Sequence, residues 1–282
     1  MSKLQFTKAF TQQEPIPEAA KQRVMALLDS GRLHRYNTVG AEVSDAALLE
    51  QQFAQYQGRK YCLACTSGGY GLHIALRAMG LEPGDAVLTN AYTLAPVPGA
   101  IHAAGGVPVL VEIDDHYHLD LADLEAKAKS SQAKILLLSL MRGHIPNMDR
   151  LMALCSDLGI QVLEDCAHTM GGSWRGVKSG NFGQVAAFSL QTYKHLNTGE
   201  GGLVVTDDAD IAARLIMHSG SYMLYQRHGA SPPAEVFEKI RLTSANMSGR
   251  MDNIRAAIAV AQLPSLDHNC QRWNRRYQIL SQ

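Results

Sequence analysis

The chain has 282 residues, 46% of them apolar, and its 26 Lys and Arg balance 26 Asp and Glu. Zero formal charge excludes a nucleic-acid binder that relies on a basic surface and a polybasic membrane-surface protein, though not a local basic pocket for a small anion. Five cysteines, an odd number in a long chain, do not suit a disulfide framework and fit a reducing compartment.

Met1–Phe6 carries no apolar leader core, so no secretory signal is read there and a cytoplasmic protein is expected. Residues 15–30 and 46–56 then read as two helices. From residue 60, short apolar runs predict strands at Lys60–Ala64, Ala86–Thr89, Val107–Ile113, Lys134–Ser139, Gln161–Glu164, Val185–Leu190 and Gly202–Thr206. Helical period separates most of them, at Gly71–Met79, Pro98–Ala104, Leu121–Lys129 and Met148–Leu158, and returns at Ala256–Leu263 and Arg272–Leu280. Ala86–Val111 has no charged residue, but its prolines and glycines break it into short elements rather than a membrane span. The alternation predicts an α/β doubly wound fold, a mostly parallel seven-stranded sheet with helices on both faces. Ligands in such sheets sit at the carboxyl ends of strands.

Four segments stand at such ends. Thr66-Ser67-Gly68-Gly69-Tyr70-Gly71 opens a helix, where glycines and free N–H groups hold phosphate. It is neither a dinucleotide fingerprint nor a P-loop, and alone it is a common tight connection. Gln161–His168 ends an apolar strand in acid, with Ala167 on the same face as Asp165. Ala187–Gly202 ends a strand at Ser189 and sets Lys194 in a polar loop closed by Gly-Glu-Gly-Gly, which predicts a tight hairpin into the next strand. Asn90-Ala91-Tyr92-Thr93 offers an aromatic for stacking. Each has a bland reading: a capping acid, a solvated lysine, a core aromatic. Together they have one chemical solution, pyridoxal phosphate, which needs a lysine for a Schiff base, an acid for its pyridinium nitrogen, a phosphate cradle and a stacking ring. The lysine must be neutral to attack, so its pKa is expected to be lowered.

These segments resemble the DegT/DnrJ/EryC1/StrS family of pyridoxal-phosphate sugar aminotransferases, within fold type I. The resemblance runs from about Pro15 to the C-terminus and is most specific in Phe188–Gly202, similar to the family's Phe-Ser-x-x-x-x-Lys…Gly-Glu-Gly-Gly loop. Thr66–Leu76, Leu163–Gly171 and Arg250-Met251 with Ala256–Leu263 also resemble family segments. The resemblance implies that Lys194 carries the cofactor and Asp165 pairs with its ring nitrogen. Ser189, Ser67 and Gly68 would hold the phosphate, with Tyr92 stacked on the ring and Ala167 beneath. The chain departs from the family at Gly69, where Thr is usual, and at His168, where Gln is usual near the phenolic oxygen. Ser248 stands where the family's Asn reaches the neighbouring subunit's phosphate, with Asn246 as its substitute. Leu140–Gly143 replaces His-Leu-Tyr-Gly, so a different substrate pocket is expected.

The resemblance divides the chain into an N-terminal helical segment (1–58), a cofactor-binding α/β domain (59–248) and connecting helices (249–282) toward a C-terminal small domain that is largely absent. It implies an aminotransferase that moves an amino group from an amino-acid donor, glutamate or glutamine, to a nucleotide-linked keto sugar. A homodimer with shared active sites is implied, with no nucleic-acid or membrane partner. Arg142 and Arg250 are the candidates for an anionic substrate group, against surface ion pairs. The alternatives are a lyase or dehydratase, against which Lys194 weighs because the dehydratase branch carries histidine there, and a non-catalytic regulator. No metal is expected: Cys62 and Cys65 sit three apart on a strand and point to opposite faces, and His116–His118 with Asp114 reads as a solvated turn.

Overall fold

The structure is a computed structural model describing Thr7 and residues 13–281. Met1–Phe6, read above for a leader, lies outside the described residues. Two helices come first, α1 (Glu18–Ser30) and α2 (Asp45–Gln57). Seven strands then form one sheet: β1 (Tyr61–Cys65), β2 (Ala86–Asn90), β3 (Val107–Val111), β4 (Ile135–Ser139), β5 (Gln161–Asp165), β8 (Val185–Ser189) and β9 (Gly202–Thr206). A two-stranded hairpin, β6 (Ser173–Trp174) and β7 (Val177–Lys178), lies between β5 and β8. The interleaved helices are α3 (Gly68–Ala78), α4 (Pro96–Ala103), α5 (Leu121–Ser131), α6 (Met148–Asp157) and α7 (Ala209–Ser219). A short α8 (Ala234–Glu238), α9 (Asn253–Gln262) and α10 (Leu266–Leu280) complete the chain.

The sheet order is β1-β9-β8-β5-β4-β2-β3. Strands β3, β2, β4, β5 and β8 pair in parallel, and β9 runs antiparallel to both β8 and β1. The interior strand β4 (ILLLS) is buried at every position, as a parallel strand covered on both faces must be. One face packs apolar residues of α2, α5, α6 and α9, the other those of α3, α4 and α7. Cys62 and Cys65 fall into these two separate cores, on opposite faces of β1. Side-chain caps fix the helix starts: Ser67 Oγ accepts from Tyr70 N, Asp120 from Ala122 N and Asp208 from Ile211 N, a contact worth about 1 kcal/mol each. The cap at Ser67 starts α3 three residues before its predicted start, bringing the glycines into the first turn. The predicted tight hairpin is instead a long loop, residues 190–201, closed by Leu190 N to Gly201 O and Thr192 N to Gly199 O.

A buried ion pair ties the N-terminal region to the sheet. Arg35 donates both Nη atoms to the Glu50 carboxylate, at 2.9 and 2.8 Å, and neither side chain reaches solvent. Ala64 N on β1 and Gly229 N also donate to Glu50. Burial alone would push the Glu50 carboxyl up; Arg35 and His228 more than offset it and hold the pKa far below the usual carboxylate range. A depressed folded-state pKa contributes stability at neutral pH that disappears on acidification. Arg35→Met, which leaves that carboxylate buried without its partner, is expected to lower stability by about 3–5 kcal/mol in urea unfolding. The loss is expected to shrink as pH falls below about 4.

Candidate active site

A cavity of about 700 Å³ opens where β4, β5 and β8 end and α3 begins. Ser67, Gly68 and Gly69 line it from the α3 start, Asp165, Ala167 and His168 from the end of β5, and Ser189 and Lys194 from the end of β8. Glycine is required at two closures. A Cβ on Gly68 would stand 2.9 Å from Ser189 Cβ, and one on Gly202 would stand 2.3 Å from Ser67 O. The α3 start can therefore lie directly against the ends of β8 and β9, which places Gly68 and Gly69, at the open N-terminal end of the helix, in the cavity wall as a candidate anion cradle.

Asp165 is partly buried at the cavity wall. Its Oδ1 accepts from Ala167 N at 3.1 Å and its Oδ2 from Ser139 Oγ at 3.3 Å. Ser139 is held in turn by Thr93 Oγ1, which donates to its hydroxyl at 2.7 Å, and its own N–H donates to Asn90 Oδ1 at 2.9 Å. Burial pushes the Asp165 carboxyl up, opposed by Ala167 N–H, by Lys194 and by Ser139. Lys194 is pushed the other way: burial lowers its ammonium pKa, Asp165 raises it and Arg142 lowers it.

The hydrogen bonds of His168 define the form of that amine. Arg142 N–H donates to His168 Nδ1 at 3.2 Å, so Nδ1 carries the lone pair. Burial, Lys194 and Arg142 push the imidazole pKa down to about 4, so the ring is neutral and its proton sits on Nε2. Nε2 stands 2.7 Å from Lys194 Nζ. An Nε2–H at this distance favours the neutral form of the amine, the direction in which burial also pushes it.

The other candidates stand outside the cavity lining. Tyr92, expected to stack on a ring there, packs its ring against Tyr117 with centroids 5.0 Å apart. Leu94, two residues on, lines the cavity in its stead. Arg142 is exposed beside His168 and acts on the site through its charge and its N–H. Arg250 donates to Gly220 O at 2.7 Å and lies over the Tyr222 ring. Ser248, at φ 52°, donates its N–H to Asn246 Oδ1, away from this cavity. Further residues complete the walls: Met141 and Gln191 follow the ends of β4 and β8, Glu200 of the Gly-Glu-Gly-Gly run precedes β9, and Val97 and Ala100 come from α4.

The set fits pyridoxal phosphate. Asp165 accepts hydrogen bonds from neutral donors, Ser139 Oγ and Ala167 N, so a protonated ring nitrogen would be its one hydrogen-bonded cation; an amine of lowered pKa and an anion cradle share its cavity.

The DegT/DnrJ/EryC1/StrS aminotransferase family model matches residues 15–282. GDP-perosamine synthase of Caulobacter vibrioides is 35% identical over 222 residues, 78% of this chain and 57% of that protein. 3-Amino-5-hydroxybenzoate synthase of Amycolatopsis mediterranei is 31% identical over 268 residues, 94% of this chain and 65% of that protein. A pleiotropic regulatory protein of Geobacillus stearothermophilus is 31% identical over 260 residues, 91% of this chain and 64% of that protein. The chain thus spans 57–65% of the length of these relatives. The crystal structure of a 3-amino-5-hydroxybenzoic acid synthase superposes with TM-score 0.80 at 28% identity, covering 96% of this chain and 67% of that one. DesV of S. venezuelae, solved with a ketimine intermediate, gives 0.74 at 32% identity, covering 88% and 62%. The architecture is that of fold type I.

Competitive acetylation of lysines across a pH series, read peptide by peptide, tests the neutral amine. Lys194 is expected to reach half-maximal intrinsic reactivity below the ordinary lysine value of about 10.4. A midpoint at or above that value contradicts the His168 contact as drawn.

Proposed function

The chain belongs to the DegT/DnrJ/EryC1/StrS aminotransferase family, and from that premise we propose that it is a pyridoxal-phosphate-dependent aminotransferase. The observation that carries the reading is one cavity that holds both the Lys194 amine, whose pKa burial lowers, and the Asp165 carboxyl, whose pKa burial raises. When bound, the cofactor supplies an aldehyde that exchanges between amines and a ring that accepts electrons from the carbon beside the nitrogen.

The chain's own residues do the rest. Lys194 Nζ, its pKa lowered by burial, would hold the cofactor and, when free, would hold and return a proton at the reacting carbon. Asp165, held by Ser139 and Ala167 N–H, keeps the ring nitrogen cationic. His168, neutral at physiological pH, donates from Nε2 at the ring edge. Ser67, Gly68, Gly69 and Ser189 bind the phosphate. Leu94 and Ala167 cover the ring with apolar surface and exclude water. The donor is glutamate or glutamine and the acceptor a keto sugar, likened to the substrate of GDP-perosamine synthase by sequence similarity.

Two copies of the chain form the working unit in this proposal. Ser248 and Asn246 miss their own cavity, and in a dimer they reach the partner's phosphate. The similarity to a pleiotropic regulatory protein favours, as a second reading, a regulator that binds the cofactor without turnover.

Single-turnover mixing with glutamate separates the two. The transaminase reading expects loss of the aldehyde band and release of 2-oxoglutarate. Lys194→Ala and Asp165→Asn are each expected to slow this by about 10²-fold or more, the scale of a lost acid–base group. Cofactor that binds but never converts supports the regulator and defeats the transaminase. Light scattering of the loaded protein is expected to show two chains, and a monomer that still holds the cofactor tightly refutes the shared site.

A further inference from the structure

A second cavity, of about 360 Å³, shares Lys194 with the first and lies between the lysine loop and α10. We propose that it is the subsite for the carboxylate of the amino donor, an inference that rests on the transaminase reading. The two cavities differ in kind. Apolar side chains such as Leu94, Val97 and Met141 dominate one wall of the first, which suits a flat ring and a sugar. The second is walled by hydrogen-bonding groups, with His195, Asn269, Trp273 and Arg276 among them.

Its charge balance selects an anion. Glu14 is the one acid on the wall, and Arg272 already holds it at 2.7 Å. The Arg276 guanidinium, on the exposed rim of this cavity, has no hydrogen bond or ion pair among the described residues, so no protein acid neutralises its charge. His195 Nδ1 is buried without a partner, and the ring stands edge-on to Trp273 with centroids 5.6 Å apart. Asn197 and Gln262 bond to each other, Asn197 N to Gln262 Oε1 at 3.1 Å and Gln262 Nε2 to Asn197 O at 2.7 Å, which stiffens the wall next to these free donors. A guanidinium with an indole N–H and an amide nearby matches the planar fork of a carboxylate.

The chemistry of the two substrates then assigns the cavity. An amino donor carries a carboxylate on the very carbon that bears its amine, so whatever binds that carboxylate must lie beside Lys194. A keto sugar has no such group at its reacting carbon. Its anion, where it has one, is a phosphate.

The full chain carrying Trp174→Phe retains Trp273 as its one indole, since the sequence has two tryptophans. Titration with 2-oxoglutarate is expected to quench that fluorescence saturably. Arg276→Gln is expected to raise the Kd about tenfold or more, as loss of a charged hydrogen bond does, while uptake of the cofactor's visible band stays unchanged. Arg276→Lys, which keeps the charge without the fork, is expected to fall between them. Absence of saturable quenching, an unchanged Kd in Arg276→Gln, or tighter binding of inorganic pyrophosphate than of 2-oxoglutarate overturns the inference. The visible band separates the two failures: no cofactor on Lys194 defeats the transaminase reading, whereas loaded cofactor without quenching defeats only the carboxylate subsite.

Discussion

An acid and an amine share one cavity, and partial burial pushes each toward its neutral form. Water would solvate both and leave an inert ion pair. Desolvation instead leaves the amine nucleophilic and the acid in need of a cation. The geometry that permits this is backbone contact: the first turn of α3 lies against the ends of β8 and β9 at distances that a single methyl group at Gly68 or Gly202 would violate. The cradle, Ser189 and the start of the lysine loop are thereby fixed relative to one another.

The sheet supplies the rest of the positioning. Parallel strands β4, β5 and β8 deliver Ser139, Asp165 and Ser189 to one edge; Ser139 is in register with Asp165, and Ser189 lies two residues past Ala187, the partner of Asp165. The Thr93–Ser139–Asp165 chain of hydrogen bonds then orients the carboxylate, so its aim depends on strand ends rather than on a mobile loop. On the outer side, the Arg35–Glu50 pair anchors the N-terminal region against β1. Breaking a buried pair is costly, which makes that anchor specific to this arrangement.

All seven main strands were legible as short apolar runs; burial leaves little polar alternation in six of them, and the edge strand β3 is apolar in sequence although Val107 and Leu110 are exposed. Helix α7 (Ala209–Ser219) was missed although Asp208 caps it and its apolar residues keep helical period. The small hairpin at 173–178 has only two residues per strand, too few for any periodic signal. At the site, the residues that bond along the chain or directly follow strands were readable, such as Ser67, Asp165 and Lys194. Tyr92 was read as a stacking ring from type and position, yet Tyr117 from the loop after β3 captures it, a contact between segments that no local pattern encodes. Ser139 carried a usable signal as the polar end of an otherwise aliphatic strand. Arg250 did not: its engagement with Gly220 O depends on how the chain after α7 returns to the sheet edge.

Borohydride reduction of protein reconstituted with pyridoxal phosphate, followed by peptide mapping, tests the account most directly. A single reduced adduct on the peptide containing Lys194 is the result it predicts. Tight binding with nothing to reduce, or an adduct on a different lysine, contradicts it.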